Sequence, residues 1–80
     1  MKRTLFFAPT ATTALRMMDR QFVRQVWAVI DALRADPDEL TYRTDPSDPS
    51  IYGVTVSGDV TIWFEILDDQ HAIRILDIED

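Results

Sequence analysis

Few residues of this chain are of a type that performs acid–base or phosphate chemistry. His71 is the only histidine, so a pair of histidines acting as acid and base is excluded. Glu65 could act as a general base beside a phosphate, and Arg43, Arg74 and Arg3 are candidates for an anion site. Each residue also has a structural interpretation, as a loop histidine, a solvated glutamate or a salt-bridge partner. Glu65, Arg74 and Arg43 are therefore kept as catalytic candidates, and none is assigned a role.

The overall charge argues against a nucleic-acid partner. The 80 residues include 8 basic and 14 acidic side chains, which give a net charge of -6. The field of such a protein repels phosphate backbones. The sequence has no cysteine, which excludes a disulfide, a thiolate metal site and a cysteine nucleophile. We expect no cofactor.

Length and hydropathy predict one domain over residues 1–80, located in the cytoplasm. The apolar run that follows the basic start stops at Pro9, which is too soon for an export signal. No stretch of the sequence approaches the roughly 20 apolar residues of a membrane span.

The first half of the chain predicts a strand and then helices. Residues 4–8 are apolar and aromatic, and Pro9 ends them, as expected for a short strand. Hydroxyl residues after Pro9 can cap a first helix, and Asp19 can cap a second, although one kinked helix would also fit. Apolar residues from Phe22 onward recur at steps of three and four, which predicts a helix that runs to about Ala35. The Asp36-Pro37 pair ends it.

Residues 36–50 read as an irregular connection. They contain three of the four prolines and a tandem triplet, DPSDPS. Residues 40–43 are predicted to form a brief edge strand within it. The aspartates of the triplet suggest calcium at first sight, but a Ca²⁺ site needs about six or more oxygens. Asx-type turns explain them better, and we predict no metal site.

The last thirty residues predict a three-strand meander. Residues 52–56 and 60–66 alternate between apolar and other side chains, as in strands with one buried face. A three-residue loop at 57–59 sets Val56 opposite Val60 and keeps the apolar residues on one face, whereas a two-residue loop would not. This register places Trp63 opposite Gly53, where a ring can cover bare backbone. Residues 72–78 are apolar on both faces, which indicates a central strand.

Three segments in this order resemble the RelE/ParE toxin superfamily: the helix exit LRADP at 33–37, the hairpin YGVTVSGDVTIWFEI at 52–66, and the closing IRILDI at 73–78. The resemblance implies an α+β fold of order β-α-α-β-β-β, with two antiparallel helices packed on an antiparallel sheet. It also implies a type II toxin–antitoxin protein of the plasmid-stabilisation type. Such toxins act through an exposed sheet face on messenger RNA in the ribosome or, in the ParE branch, on DNA gyrase, and an antitoxin silences them.

The departures from the family pattern bear on activity. Where the family hairpin usually carries arginines, this chain has Gly53, Thr55 and Thr61, which share one face in the predicted register. Ribonuclease members use such arginines to stabilise charge at the scissile phosphate, a contribution that neither glycine nor threonine can make. The basic tail with a histidine or tyrosine that many nuclease members carry is also not found after the last strand.

These departures favour a non-catalytic or impaired toxin–antitoxin protein that binds an antitoxin-like chain or a second copy of itself. The predicted binding residues are Thr55, Thr61, Trp63 and Glu65. For Trp63, cover for Gly53 is the structural interpretation and a partner-binding hot spot is the functional one. The alternative is an active toxin, either a messenger-RNA endoribonuclease that uses Glu65 and Arg74 or a gyrase inhibitor. A structural adaptor that has only inherited the fold is a third hypothesis.

Overall fold

The computed structural model describes residues 2–37 and 43–79. Within these ranges the elements follow in chain order: β1 (Thr4–Phe7), α1 (Pro9–Met17), α2 (Arg20–Ala35), β2 (Arg43–Asp45), β3 (Asp48–Val56), β4 (Val60–Leu67), a 3₁₀ turn (Asp68–Gln70) and β5 (Ala72–Glu79). Within the described ranges, no helix has the length and apolar character needed to span a membrane.

The helical segment consists of two helices and not of one kinked helix. Proline occupies the first position of α1, where its fixed φ suits a helix start and its missing N–H costs nothing. Met18 after α1 has extended backbone, and the Asp19 carboxylate then accepts a hydrogen bond from the Gln21 N–H at 3.5 Å as the N-cap of α2. The end of α2 at Ala35, before Asp36 and Pro37, is as predicted.

The strands form one sheet with the order β1-β5-β4-β3-β2. All neighbouring pairs are antiparallel except β1 with β5, which are parallel. This confirms the predicted α+β fold and the central position of β5. The sheet differs from the prediction in having a parallel pair, in which β1 and β5 are separated in sequence by the helices and the other strands.

The predicted register of the β3–β4 hairpin is confirmed at every pair. Val56 lies opposite Val60, and Gly53 lies opposite Trp63. The loop at 57–59 has three residues, and its first two positions, Ser57 with φ 53° and Gly58 with φ 83°, are left-handed. Glycine adopts such a φ without strain.

The predicted irregular connection at 36–50 was partly wrong. Residues 43–45 form β2, an edge strand, and β3 begins at Asp48, four residues before its predicted start at Tyr52. The edge strand predicted at 40–43 is observed at Arg43, whereas its residues 40–42 lie outside the described ranges. The Asx-type turns are confirmed: Asp45 Oδ1 accepts from the Ser47 N–H at 2.8 Å, and Asp48 Oδ1 accepts from the Ser50 N–H at 3.0 Å. Sequence periodicity missed the early start of β3 because its first residues are polar and include proline.

Both helices pack against one face of the sheet, and the core lies between them. The largest fully buried side chains come from α2, β4 and β5: Phe64, Ile30, Leu33, Ile62, Ile73, Ile75, Val26 and Val60. Because side chains alternate along a strand, the intervening residues point to the opposite surface of the sheet. We call this surface, which carries Gly53, Thr55, Thr61, Trp63 and Glu65, the outer face.

Candidate functional site

The outer face brings together all of the site residues predicted from sequence. In the observed pairing Thr55 lies opposite Thr61, and Glu65 lies opposite Arg74. Arg43 joins them from β2, where it pairs with Gly53. The predicted binding residues and the catalytic candidates are therefore neighbours on one surface, contributed by four different strands.

Trp63 lies against the backbone of Gly53. A Cβ added to Gly53 would lie 2.6 Å from Cζ3 and 2.9 Å from Cε3 of the indole. No side chain fits at these distances, so the glycine is needed for the ring to lie where it does. Gly53 is buried although it is on the outer face, which confirms the predicted cover. The predicted role of Trp63 in partner binding stays a prediction.

Arg43 is held against the same ring. Its guanidinium carbon lies 5.5 Å from the centroid of the Trp63 ring, within range of a cation–π contact. Nη2 of Arg43 also donates to Thr61 Oγ1 at 3.4 Å. The guanidinium thus contacts Thr61, one of the three positions where the resemblance implies an arginine.

The other two catalytic candidates form an ion pair with each other. Nη1 of Arg74 donates to Oε1 of Glu65 at 2.9 Å, and the two side chains are 45% and 24% exposed. Partial burial on the Glu65 side makes this contact stronger than a fully solvated pair. Oε1 of Glu65 would have to leave Arg74 before that oxygen could accept a proton.

Two residues considered from sequence lie elsewhere. Arg3 pairs with Asp68 at 3.2 Å in the turn between β4 and β5, and its carbonyl accepts from Nε of Arg34 at 3.1 Å. His71 closes the same turn with a left-handed φ of 49° and an exposed side chain. Neither residue is part of the group formed by Thr61, Trp63 and Glu65.

The structure also shows a shallow pocket that was not predicted. It has a volume of about 260 Å³ and three apolar and three acidic lining residues: Ile51, Trp63, Leu76, Asp45, Asp77 and Glu79. Within the described ranges, no group of three or more His, Cys, Asp or Glu side chains is placed to hold a metal ion. The carboxylates of this pocket therefore surround an apolar floor and do not converge on one point.

This pocket lies beside a β-bulge in β5. Phe64 pairs with Ile75 but Trp63 pairs with Asp77, so Leu76 is the extra residue. The sequence carried a signal for it. Strict alternation from Ile75 would have placed Asp77 on the core face, where burial of an unpaired carboxylate would strongly destabilise the fold. One extra residue moves Asp77 to the outer face and returns Ile78 to the core.

The rim carboxylate of Asp45 is held in its charged form. The Ser47 hydroxyl donates to Asp45 Oδ1 at 2.7 Å and holds the pKa of Asp45 below its ordinary value, and the Ser47 N–H adds to the effect. The Ser50 hydroxyl lowers the pKa of Asp48 in the same way, also at 2.7 Å.

We expect Ser47→Ala to raise the pKa of Asp45 toward its ordinary value and to leave the pKa of Asp48 low. Ser50→Ala, the matched control, should do the reverse. Because the folded pKa is depressed, the stabilisation from each bond is present above a pH of about 4 and is lost as the pH falls through the folded pKa. A carboxyl-detected NMR titration of both variants measures this. Equal shifts of the two aspartates in either variant would contradict the local cause.

Comparison with known proteins finds similar folds but no protein of similar sequence. No protein-family profile matches the sequence, and no curated protein matches it. A chain of the RelBE2 toxin–antitoxin complex from Mycobacterium tuberculosis matches with a TM-score of 0.83 at 16% identity, covering 99% of this chain and 98% of that one. The chain has the RelE fold. Two further matches to this fold are nearly as complete.

The archaeal RelE–RelB complex from Pyrococcus horikoshii OT3 matches with a TM-score of 0.77 at 17% identity, covering 99% of this chain and 94% of that one. The intact RelBE toxin–antitoxin complex from E. coli matches with a TM-score of 0.81 at 12% identity, covering 98% of this chain and 95% of that one. The fold expected from the resemblance is therefore confirmed, apart from the parallel pairing of β1 with β5. Identities this low establish the RelE fold and leave the activity to be argued from the outer face.

Proposed function

We propose that this chain is a cytoplasmic toxin–antitoxin protein of the RelE/ParE type that binds a partner protein through its outer face and does not cleave RNA. The RelE fold supports the first part, since the matching structures include toxin–antitoxin complexes. The composition of the outer face supports the second part.

The observation that carries the proposal is the charge of the outer face. Its two arginines are both engaged, Arg43 by Trp63 and Thr61, and Arg74 by Glu65. The pocket adds three more carboxylates, from Asp45, Asp77 and Glu79. The surface is thus net acidic. Cleavage of a phosphodiester requires cationic groups aimed at the charge that develops on phosphorus, and an acidic surface repels the substrate before that step.

Protein binding suits the same surface better. Trp63 is half-buried, packed against Gly53 and flanked by Leu76 and Ile51. A rigid aromatic ring beside aliphatic side chains is the composition found at the energetic centre of protein interfaces. An antitoxin-like chain is the partner class that the structural neighbours favour, and a second copy of this chain is the alternative.

The ion pair between Glu65 and Arg74 supports a second candidate function, an active toxin. If a substrate opened the pair, Arg74 could hold a phosphate and Glu65 could accept a proton. Inhibition of gyrase without catalysis would need neither residue. These two mechanisms can be separated by the same variants.

Growth of a bacterial culture after induction of the chain alone tests the proposal. We expect the native protein to cause no arrest and no cleavage of ribosome-associated messenger RNA, because its outer face cannot stabilise the reacting phosphate. Thr61→Arg restores one family charge, and it should increase retention of a single-stranded RNA oligonucleotide at low salt. Thr13→Arg, the same change at an exposed position of α1, should not increase it to the same extent.

Arrest by the native protein would contradict the proposal. In that case Glu65→Ala combined with Arg74→Ala decides between the active mechanisms. Arrest that is lost in the double variant indicates a ribonuclease, and arrest that persists indicates a target that needs no catalysis. Copurification with the protein encoded beside it, compared with the molar mass of the chain alone in solution, distinguishes an antitoxin-like partner from a homodimer.

A further inference from the structure

The bulge pocket on the outer face has a composition that identifies the chemistry of its occupant. We propose that it binds an arginine side chain of the partner protein, with the guanidinium beside Trp63 and among the carboxylates of Asp45, Asp77 and Glu79. The inference deepens the proposed function and rests on it, because it names the residue type by which the partner is recognised.

The size of the pocket fits one side chain. Its volume of about 260 Å³ is below the roughly 300–1,000 Å³ of ordinary small-molecule sites. Its floor is formed by Ile51, Trp63 and Leu76, all of them half-buried. A floor of this kind suits the aliphatic stem of a long side chain, which buries its methylene groups and keeps its charge near water.

The charge of the pocket selects a cation. Three carboxylates line it, and Arg43 lies on the Trp63 ring, so the sum over these four groups is -2. Asp45 retains its charge because Ser47 donates to it through both its hydroxyl and its backbone N–H. A phosphate would be repelled here, and a purely apolar side chain would cover these carboxylates and gain nothing from them.

Among cations, the geometry favours arginine over lysine. The planar guanidinium stacks on aromatic rings and donates to several carboxylates at once, whereas an ammonium is a compact and strongly hydrated charge. The contact between Arg43 and Trp63 at 5.5 Å shows that this indole already accepts a guanidinium on its surface. Trp63 also lines the pocket, and Asp77 lies directly opposite it in the strand pairing.

NMR titration of the full chain with Nα-acetyl-arginine amide tests the proposal. The two tryptophan indole N–H signals are separate reporters, because Trp63 lines the pocket, whereas Trp27 belongs to α2 and packs against Phe7 on the helix side of the sheet. We expect a saturable shift of the Trp63 signal and none of the Trp27 signal. The uncharged analogue of the same shape, Nα-acetyl-citrulline amide, should bind at least about fivefold more weakly.

Asp77→Asn provides the variant and Asp69→Asn its matched control. Asp77 Oδ1 accepts from the Ile78 N–H at 2.8 Å, and asparagine keeps that acceptor, so the variant should fold. It should weaken arginine binding about threefold, as expected for one partly exposed charge. Asp69 is exposed in the turn after β4, and the same change there should leave the affinity unaltered.

Four outcomes would overturn the assignment: no saturable shift of the Trp63 signal with arginine amide, citrulline amide binding as well as arginine amide, leucine amide binding more tightly than either, or equal effects of the two aspartate variants. The leucine result would identify an apolar partner residue. These results are independent of the growth assay. Arrest with a normal Trp63 shift rejects the proposed function and not the pocket, whereas no arrest and no shift reject the pocket alone.

Discussion

Phe64→Ala is expected to lower the free energy of unfolding by about 3–5 kcal/mol, because the cavity left by a buried ring is only partly filled by relaxation. Phe64 is the largest of the fully buried side chains in the core, and its ring centroid lies 5.8 Å from the ring centroid of Tyr52. A small domain is stable by only about 5–15 kcal/mol. The variant should therefore unfold at a markedly lower urea concentration than the native protein, which urea titration followed by circular dichroism measures.

Phe6→Ala is the matched control for this prediction. Phe6 lies in the edge strand β1 and is 43% exposed, so the same truncation there should cost no more than about 1 kcal/mol. Similar losses at Phe6 and Phe64 would contradict the assignment of one buried and one outer face. A small loss at Phe64 would mean that the core repacks around the missing ring.

Gly53→Ala is expected to destabilise the protein by about 1–3 kcal/mol, the usual cost of an added methyl group in a packed site. The new Cβ would lie 2.6 Å from Cζ3 of Trp63, so the ring must tilt away from the strand. This tilt should also separate Trp63 from Arg43 and alter the pocket floor. Urea denaturation gives the loss of stability, and the Trp63 indole N–H signal reports the displacement.

A double-mutant cycle with Trp63→Thr assigns that cost to the ring. In the Trp63→Thr background, Gly53→Ala should become neutral or stabilise the protein by up to about 1 kcal/mol, because alanine reduces the freedom of the unfolded chain. Gly58→Ala is the control: Gly58 has a φ of 83° and nothing within 4 Å of an added Cβ. Its cost comes from backbone strain alone and should be the same in both backgrounds. Failure of Trp63→Thr to relieve Gly53→Ala would place the strain elsewhere.

Local patterns predicted most of the fold. The helix end at Ala35 follows from proline geometry, and the β3–β4 register follows from matching apolar parities across a three-residue loop. Both depend on neighbours within about 15 residues, where periodicity is informative. The early start of β3 was missed because Asp48, Pro49 and Ser50 have low strand propensity. Pairing with β2 stabilises this part of β3 despite its low strand propensity, and a local sequence pattern cannot show that pairing.

The candidate site was also predicted only in part from the sequence. The sequence by itself determined that Thr55, Thr61, Trp63 and Glu65 share one face, because side-chain direction in a strand depends only on parity. It also determined that this face lacks the arginines that the resemblance implies. The tertiary structure alone decided which residues come near them from other strands. It placed Arg43 on Trp63, and it moved Asp77 opposite Trp63 through the bulge at Leu76. Pairing between distant strands depends on burial energy summed over the whole sheet, which no local pattern contains.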